Sequence, residues 1–394
     1  MTAGSRSPGA VLAGASAAQA SVAVVNFGLP AVGPELAEDF GLTLFELGAV
    51  LGAGLLGSGL SLVAAGIAVD RLGPRRTMLA GTAIAVAGLL VAAAASSKWL
   101  LLGALVLFGV GSAAVPVAGT GALFAAYGAA RRGWALGVRQ TAVPLGGTIA
   151  ALTFPGLYAL AGAGATLLAT AAAVGATGVW FAAIAGGDRV PRGHGGSRPF
   201  RSIWRAPGMQ RLLLVAACYI VVLQALLTYI VPAVRAAGLS ELTASVAYFA
   251  INVAAMLARI AWGQIADRDG GTRRVRTLVE VGLVAAAGGV LFALALHAGA
   301  YAVVPAAVLF GVGALGWNAL VYVSAGERAA PELAGRSVAV AATVVFVLSG
   351  VVTPLLGAVA DAAGWDALWL TTAGVAVVGA LLAARLPRLE SGST

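Results

Sequence analysis

Stretches of twenty or more residues pass along this chain with almost no charge, many times over. A run of about 20 apolar residues is the length of helix that crosses the hydrocarbon core of a bilayer. Within lipid every backbone N–H and C=O must be satisfied internally, which leaves helices and closed barrels. Barrel strands alternate apolar and polar side chains, and these runs are apolar throughout. With turn residues and charges as punctuation, helices are predicted at about 10–33, 44–69, 77–96, 99–124, 134–160, 164–186, 211–234, 243–266, 277–299, 301–325, 338–360 and 365–386. Twelve spans take roughly 240 residues at that length, so a chain of 394 has almost nothing left for a soluble domain. The expected class is an all-α membrane protein, and the composition agrees. Charged residues make up 10%, against about a quarter in soluble domains.

The net charge of +9 would suggest nucleic acid in a soluble protein, but its distribution gives it another meaning. Of the 24 basic residues, all but Lys98 are arginine. Twenty of them fall on the N-terminus, the even-to-odd connections and the tail, whereas the opposite face has only Lys98 and Arg235. The positive-inside rule then places both termini in the cytoplasm, and no nucleic-acid partner is expected. The first run continues to Gly33, too long for a signal-peptide core, and is predicted to be retained. A lone cysteine, Cys218, excludes an intrachain disulfide, and two histidines exclude a His-rich metal site. No catalytic constellation or phosphate loop is present, so an enzyme and a cofactor are not expected. The polar stretch 188–210 reads as a cytoplasmic linker between bundles 1–187 and 211–394. A short amphipathic helix near Phe200 to Arg205 would lie on the anionic inner leaflet.

The two halves repeat. Gly66-Ile-Ala-Val-Asp70-Arg71-Leu-Gly73-Pro-Arg75-Arg76 follows the second run, and Gly263-Gln-Ile-Ala-Asp267-Arg268-Asp-Gly270-Gly-Thr-Arg273-Arg274 follows the eighth. The aspartates are 197 residues apart, half the chain, as expected of a six-helix unit duplicated in parallel. The first segment resembles, residue for residue, the signature of the major facilitator superfamily, and the resemblance extends over the whole chain. It implies two pseudo-symmetric six-helix bundles, alternating access, and a cytoplasmic latch at Asp70 and Arg71, with Asp267 and Arg268 as its second copy. Arg75, Arg76, Arg273 and Arg274 are read as enforcing topology. Val143-Pro144-Leu145-Gly146-Gly147 is a partial copy of the family's antiporter element. Gly137 to Gly147 and Gly313-Ala-Leu-Gly316-Trp317-Asn318 are more similar to bacterial cyanate-type anion porters. Close helix packing explains the same glycines equally well.

Ionisable groups inside a membrane are expensive and mark function. All 15 acidic residues lie at or near helix ends, yet two arginines lie within predicted helices. Arg139 is seven residues past Arg132, and Arg259 eight before Asp267, so both sit about 10–12 Å deep at 1.5 Å per residue. In the family, helices 5 and 8 are neighbours across the interface, so both guanidiniums are expected to face one central cavity. Two cations without a protein anion suit an anionic substrate, and the guanidinium fork matches a carboxylate. For Arg139, snorkelling to the headgroups is the competing reading. The segment Met256 to Arg268 is similar to helix 8 of monocarboxylate and oxalate-formate porters, in which an arginine at this spacing contacts substrate. This chain departs from them at Ala255, where the monocarboxylate porters have an acid, and in lacking a lysine in helix 11.

Asn26, Gln140, Gln224, Tyr229, Trp317 and Asn318 complete the candidate substrate-binding set. For each, an interhelical hydrogen bond or an interfacial anchor is an equal alternative. The expected function is secondary transport of a small organic anion, with a carboxylate as the expected class, by proton coupling or exchange. The expected protein is a multi-pass monomer in the inner membrane of a bacterium. An efflux transporter for a drug or neutral metabolite is the alternative, and a non-transporting receptor on the same fold the third reading.

Overall fold

A computed structural model of the chain describes residues 7–185, 201–268, 273–329 and 333–387. Most of the expected linker, the stretch after Arg268 that includes Gly270, and the tail from Arg388 therefore lie outside the described residues. Among those described, nine helical stretches are long and apolar enough to cross a bilayer. Three of the nine run for 50 or 51 residues, roughly 75 Å at 1.5 Å per residue, more than twice a hydrocarbon core. Each of these three contains one glycine outside the helical region: Gly73, Gly162 and Gly364. Counted as pairs, they bring the spans to twelve.

These glycines share one backbone conformation. Gly73 has φ 83° and ψ 165°, Gly162 φ 74° and ψ 179°, and Gly364 φ 82° and ψ 177°. Gly299 turns the chain between two further helices in the same way, with φ 97° and ψ −178°. That region is open essentially to glycine alone. One residue thus stops one helix and starts the next, with no loop between.

The chain divides into two compact units, residues 1–42 with 49–193, and residues 43–48 with 194–394. The first contains α1 (Pro8–Ala31), α2 (Gly33–Phe40), most of α3 (Leu44–Ala93), α4 (Lys98–Ser112), α5 (Ala114–Ala126), α6 (Ala129–Gln140) and α7 (Ala142–Ile184). The predicted fourth and fifth spans are each bent, between α4 and α5 and between α6 and α7. The cause lies in sequence: Pro116 and Pro144 each lack the N–H that would bond the carbonyl four residues back, at Ser112 and Gln140, and those are the last residues of α4 and α6. Helix α1 lies along α7 by placing glycines against large side chains. Gly14 meets Phe181 and Ile184, Gly28 meets Phe154, and Gly146 of α7 meets the backbone of Ala20. Lipid tails are as apolar as the helices, so this close approach, rather than hydrophobic expulsion, holds the unit together. Ser21 adds a hydrogen bond to Thr177 at 2.8 Å.

The second unit contains α8 (Arg201–Trp204), α9 (Met209–Ala236), α10 (Glu241–Asp267), α11 (Arg274–Ala298), α12 (Ala300–Ala314), α13 (Asn318–Arg328) and α14 (Ala334–Ala384). The four-residue α8 falls where the amphipathic linker helix is expected. The core centres on Phe292, Phe310 and Trp369, with Trp369 edge-on to both phenylalanines at 4.9 and 6.0 Å between centroids. Beside Gly282 and Gly379, Tyr219 donates to the carbonyl of Leu278 at 2.6 Å. Residues 43–48 dock here as well: the N–H groups of Leu44 and Phe45 donate to the Asp361 carboxylate at 3.2 and 2.9 Å.

Candidate binding site

Hydropathy is unbroken from Ala300 to Ala325, yet the helix stops at Ala314 and restarts at Asn318. No proline causes this break; side chains from α10 hold it open. Arg259 donates through Nε to the carbonyl of Leu315 at 3.2 Å, and Trp262 through Nε1 to that of Val312 at 3.0 Å. Gly316 gives Trp262 the room to lie there. These bonds satisfy carbonyls that the interrupted helix leaves without partners. Trp317, fully buried, donates to Ala314 at 3.0 Å and rests on Tyr219 at 6.0 Å between centroids.

On the other side of the break α13 begins with no side-chain cap, so its first N–H groups and its positive dipole end are unspent. Its first residue, Asn318, has a buried Oδ1 without a hydrogen-bond partner. Tyr322, one turn on along the same face, lies within electrostatic reach of the Arg259 guanidinium. A recess of about 500 Å³ opens beside it, lined by Tyr322, Val323, Gly326, Glu327, Ala329, Ala334 and Val338. Arg259 thus bonds the chain on one side of the break, and on the other side α13 starts uncapped at Asn318, whose Oδ1 is unpaired. That combination suits an anionic group carrying a polar hydrogen or a bound water.

Other expected site residues are committed elsewhere. Gln224 donates to the Thr353 hydroxyl at 3.0 Å, and Tyr229 to the Thr353 carbonyl at 2.7 Å, both inside the second unit's packing. Trp317 is core. Asn26 is half-buried on α1, near Gly54, and Gln140 is exposed at the end of α6. Tyr322 is an addition that sequence reading missed, although its i, i+4 spacing from Asn318 was available.

Arg139 belongs to the first unit, where it is 4% exposed. One terminal nitrogen donates to the carbonyl of Pro116 at 2.9 Å, while its Nε has no partner. Among the described residues no carboxylate pairs with Arg139 or Arg259.

The two Asp-Arg segments differ. Asp70 and Arg71 are exposed, without an ion pair among the described residues. Asp267 pairs with Arg274 at 3.0 Å, and Arg274 also pairs with Glu327, tying together the ends of α10, α11 and α13. Arg268 is exposed. In the second segment the partner of the aspartate is thus Arg274, seven residues on.

The family model described as Major Facilitator Superfamily matches residues 15–354. No curated protein matches the chain. Among solved structures, a bacterial homolog of the human lysosomal transporter Spinster, in an inward-facing and occupied conformation, is 16% identical with a TM-score of 0.83, covering 97% of this chain and 98% of that one. A variant of the nucleoside transporter NupG is 13% identical with a TM-score of 0.76, covering 94% of this chain and 98% of that one. At such identities the likeness is one of fold.

Proposed function

Because the chain belongs to the Major Facilitator Superfamily, it is a multi-pass secondary transporter of the alternating-access class, and we propose that its substrate is a small organic anion, in the first instance a carboxylate. The observation that carries this reading is Arg259 at the interrupted α12–α13 helix, beside an uncapped helix N-terminus and with no carboxylate paired to it among the described residues. Coulombic attraction in a site of low dielectric favours an anion there, and the guanidinium fork adds geometry. With no acid paired to the arginines among the described residues, a coupled proton would travel on the substrate; exchange of one anion for another needs none. The twenty arginines on one face support cytoplasmic termini and an inner-membrane location. The bundles are then 1–187 and 211–394, with Asp70 and Arg71 at the cytoplasmic latch.

The test is uptake of labelled carboxylates into proteoliposomes by wild type and Arg259→Ala. Loss of uptake is expected in a variant that stays folded, with its melting temperature lowered by the lost bond to Leu315. Wild-type rates in the variant would remove the anion reading. Efflux of a drug or neutral metabolite rests on the partial element Val143 to Gly147, and Gly146 there is accounted for by its contact with Ala20. A resistance assay in a sensitive host, run beside the uptake assay, separates the two readings.

A further inference from the structure

Where α9 begins and α14 finishes, in the second unit, Arg328 is buried and is bonded to two main-chain carbonyls. One terminal nitrogen donates to Pro207 and the other to Pro387, each at 3.1 Å. Both nitrogens belong to one guanidinium, so the segment before α9 and the segment after α14 are held side by side. They touch at Gly208, where an added methyl would lie 2.7 Å from the ring of Pro387. With φ 76°, Gly208 also supplies the left-handed turn into α9.

This clamp gathers like charges. Arg205 is two residues before Pro207, Arg385 is two before Pro387, and Arg211 donates to the carbonyl of Arg385. All three side chains are exposed, and none is paired with a carboxylate among the described residues. Cations brought together in this way repel one another unless an anion lies among them.

The surroundings specify the anion. Leu214 is one turn into α9 from Arg211, and Leu381 is one turn into α14 from Arg385. Both leucines are exposed, at the three- and four-residue spacings that put them on the faces of their arginines. Helix α8 docks through buried Ile203 and leaves Trp204 exposed, as interfacial aromatics are. Exposed leucines beneath a basic rim suit a phospholipid, with an acyl chain on the leucines and the phosphate at the guanidiniums. A free phosphate makes no use of the leucines. A choline headgroup carries its own cation, which the arginines repel.

We propose that Arg205, Arg211 and Arg385 form a binding site for one anionic phospholipid. The lipid neutralises the cations that Arg328 gathers and braces the end of the linker against the end of α14. This goes beyond the general attraction of a basic linker helix to an anionic leaflet, since it assigns a single site that includes the last turn of α14. It does not depend on which substrate is carried.

The test is thermal unfolding of the delipidated full-length protein in a neutral detergent, titrated with phosphatidylglycerol, phosphatidylcholine or sodium phosphate. Phosphatidylglycerol should raise the melting temperature of wild type, and the other two should not. The double variant Arg205→Gln/Arg385→Gln removes two side chains that make no bond among the described residues. It should need roughly 25-fold more lipid for half the effect, from about fivefold for each arginine near an anionic surface. Arg131→Gln, at an exposed arginine of the first unit, should change that concentration by less than about twofold. An equal response to phosphatidylcholine or to sodium phosphate overturns the proposal, as does no response to any of the three. So does an unchanged titration in the double variant, or an equal change in Arg131→Gln. Arg259→Ala should respond to phosphatidylglycerol as wild type does; loss of the response there would place the headgroup at the transport site and overturn the assignment.

Discussion

Arg259 donates its Nε–H to the carbonyl oxygen of Leu315 at 3.2 Å, so one guanidinium both closes the end of α12 with that donor and retains the donors of its two terminal nitrogens. Lysine has the charge without the planar fork and cannot do both. We expect Arg259→Lys to fold and to weaken anion binding by about ten- to a hundredfold, from roughly 1.5–3 kcal/mol for a charged hydrogen bond. The concentration dependence of anion-induced thermal stabilisation measures this. Undiminished affinity would show that the Leu315 bond is the residue's whole role.

Gly162→Ala isolates the backbone requirement of the one-residue turns. An added methyl there meets nothing within 4 Å, so any loss is conformational, and about 1–3 kcal/mol is expected. Gly103, helical and equally unobstructed, is the control. Alanine there should be neutral or stabilising by up to about 1 kcal/mol. Thermal unfolding in one detergent compares them, and equal melting temperatures would contradict the argument.

Asp361 accepts from two N–H groups at the start of α3, where Thr43 and Glu46 also exchange side-chain to backbone hydrogen bonds. Replacing a capping oxygen by alanine costs about 0.5–2 kcal/mol. In Asp361→Ala, amide hydrogen exchange at Leu44 and Phe45 should accelerate by about tenfold, with exchange at Leu47 changing less. Unchanged protection at both amides would sink the assignment of Asp361 as their cap.

Arg274 and Arg268 make opposite predictions from similar positions in the sequence. Arg274→Ala breaks pairs with Asp267 and Glu327 and should destabilise by about 1 kcal/mol, less at high salt. Arg268→Ala, at an exposed side chain, should leave stability within about 0.5 kcal/mol. Salt-dependent melting of both variants decides between them.

The spans were legible because hydropathy over twenty residues sums many weak signals with one sign. The bends at Ser112 and Gln140 were readable in principle from Pro116 and Pro144, but both sit in runs whose hydropathy continues past them. The break between Ala314 and Asn318 was not readable, since its causes, Arg259 and Trp262, lie 50 or more residues away. The same distance hid the partners of Gln224 and Tyr229: a polar side chain on a helix face looks alike whether it awaits a ligand or reaches Thr353. Arg139 and Arg259 stood out because arginine in an apolar run is rare. What each is bonded to, Pro116 in one case and Leu315 in the other, required the fold.

The turns at Gly73, Gly162, Gly299 and Gly364 leave no slack between the helices they join. Each pair so joined is a stiff lever with a single-residue elbow, and any displacement of one arm is passed to the other instead of being absorbed in a loop. Tags, protease sites and reporter labels inserted at these elbows would pry the arms apart, whereas the longer connections tolerate them. The bends near Pro116 and Pro144 and the gap before Asn318 differ from these elbows in interrupting helices within a span.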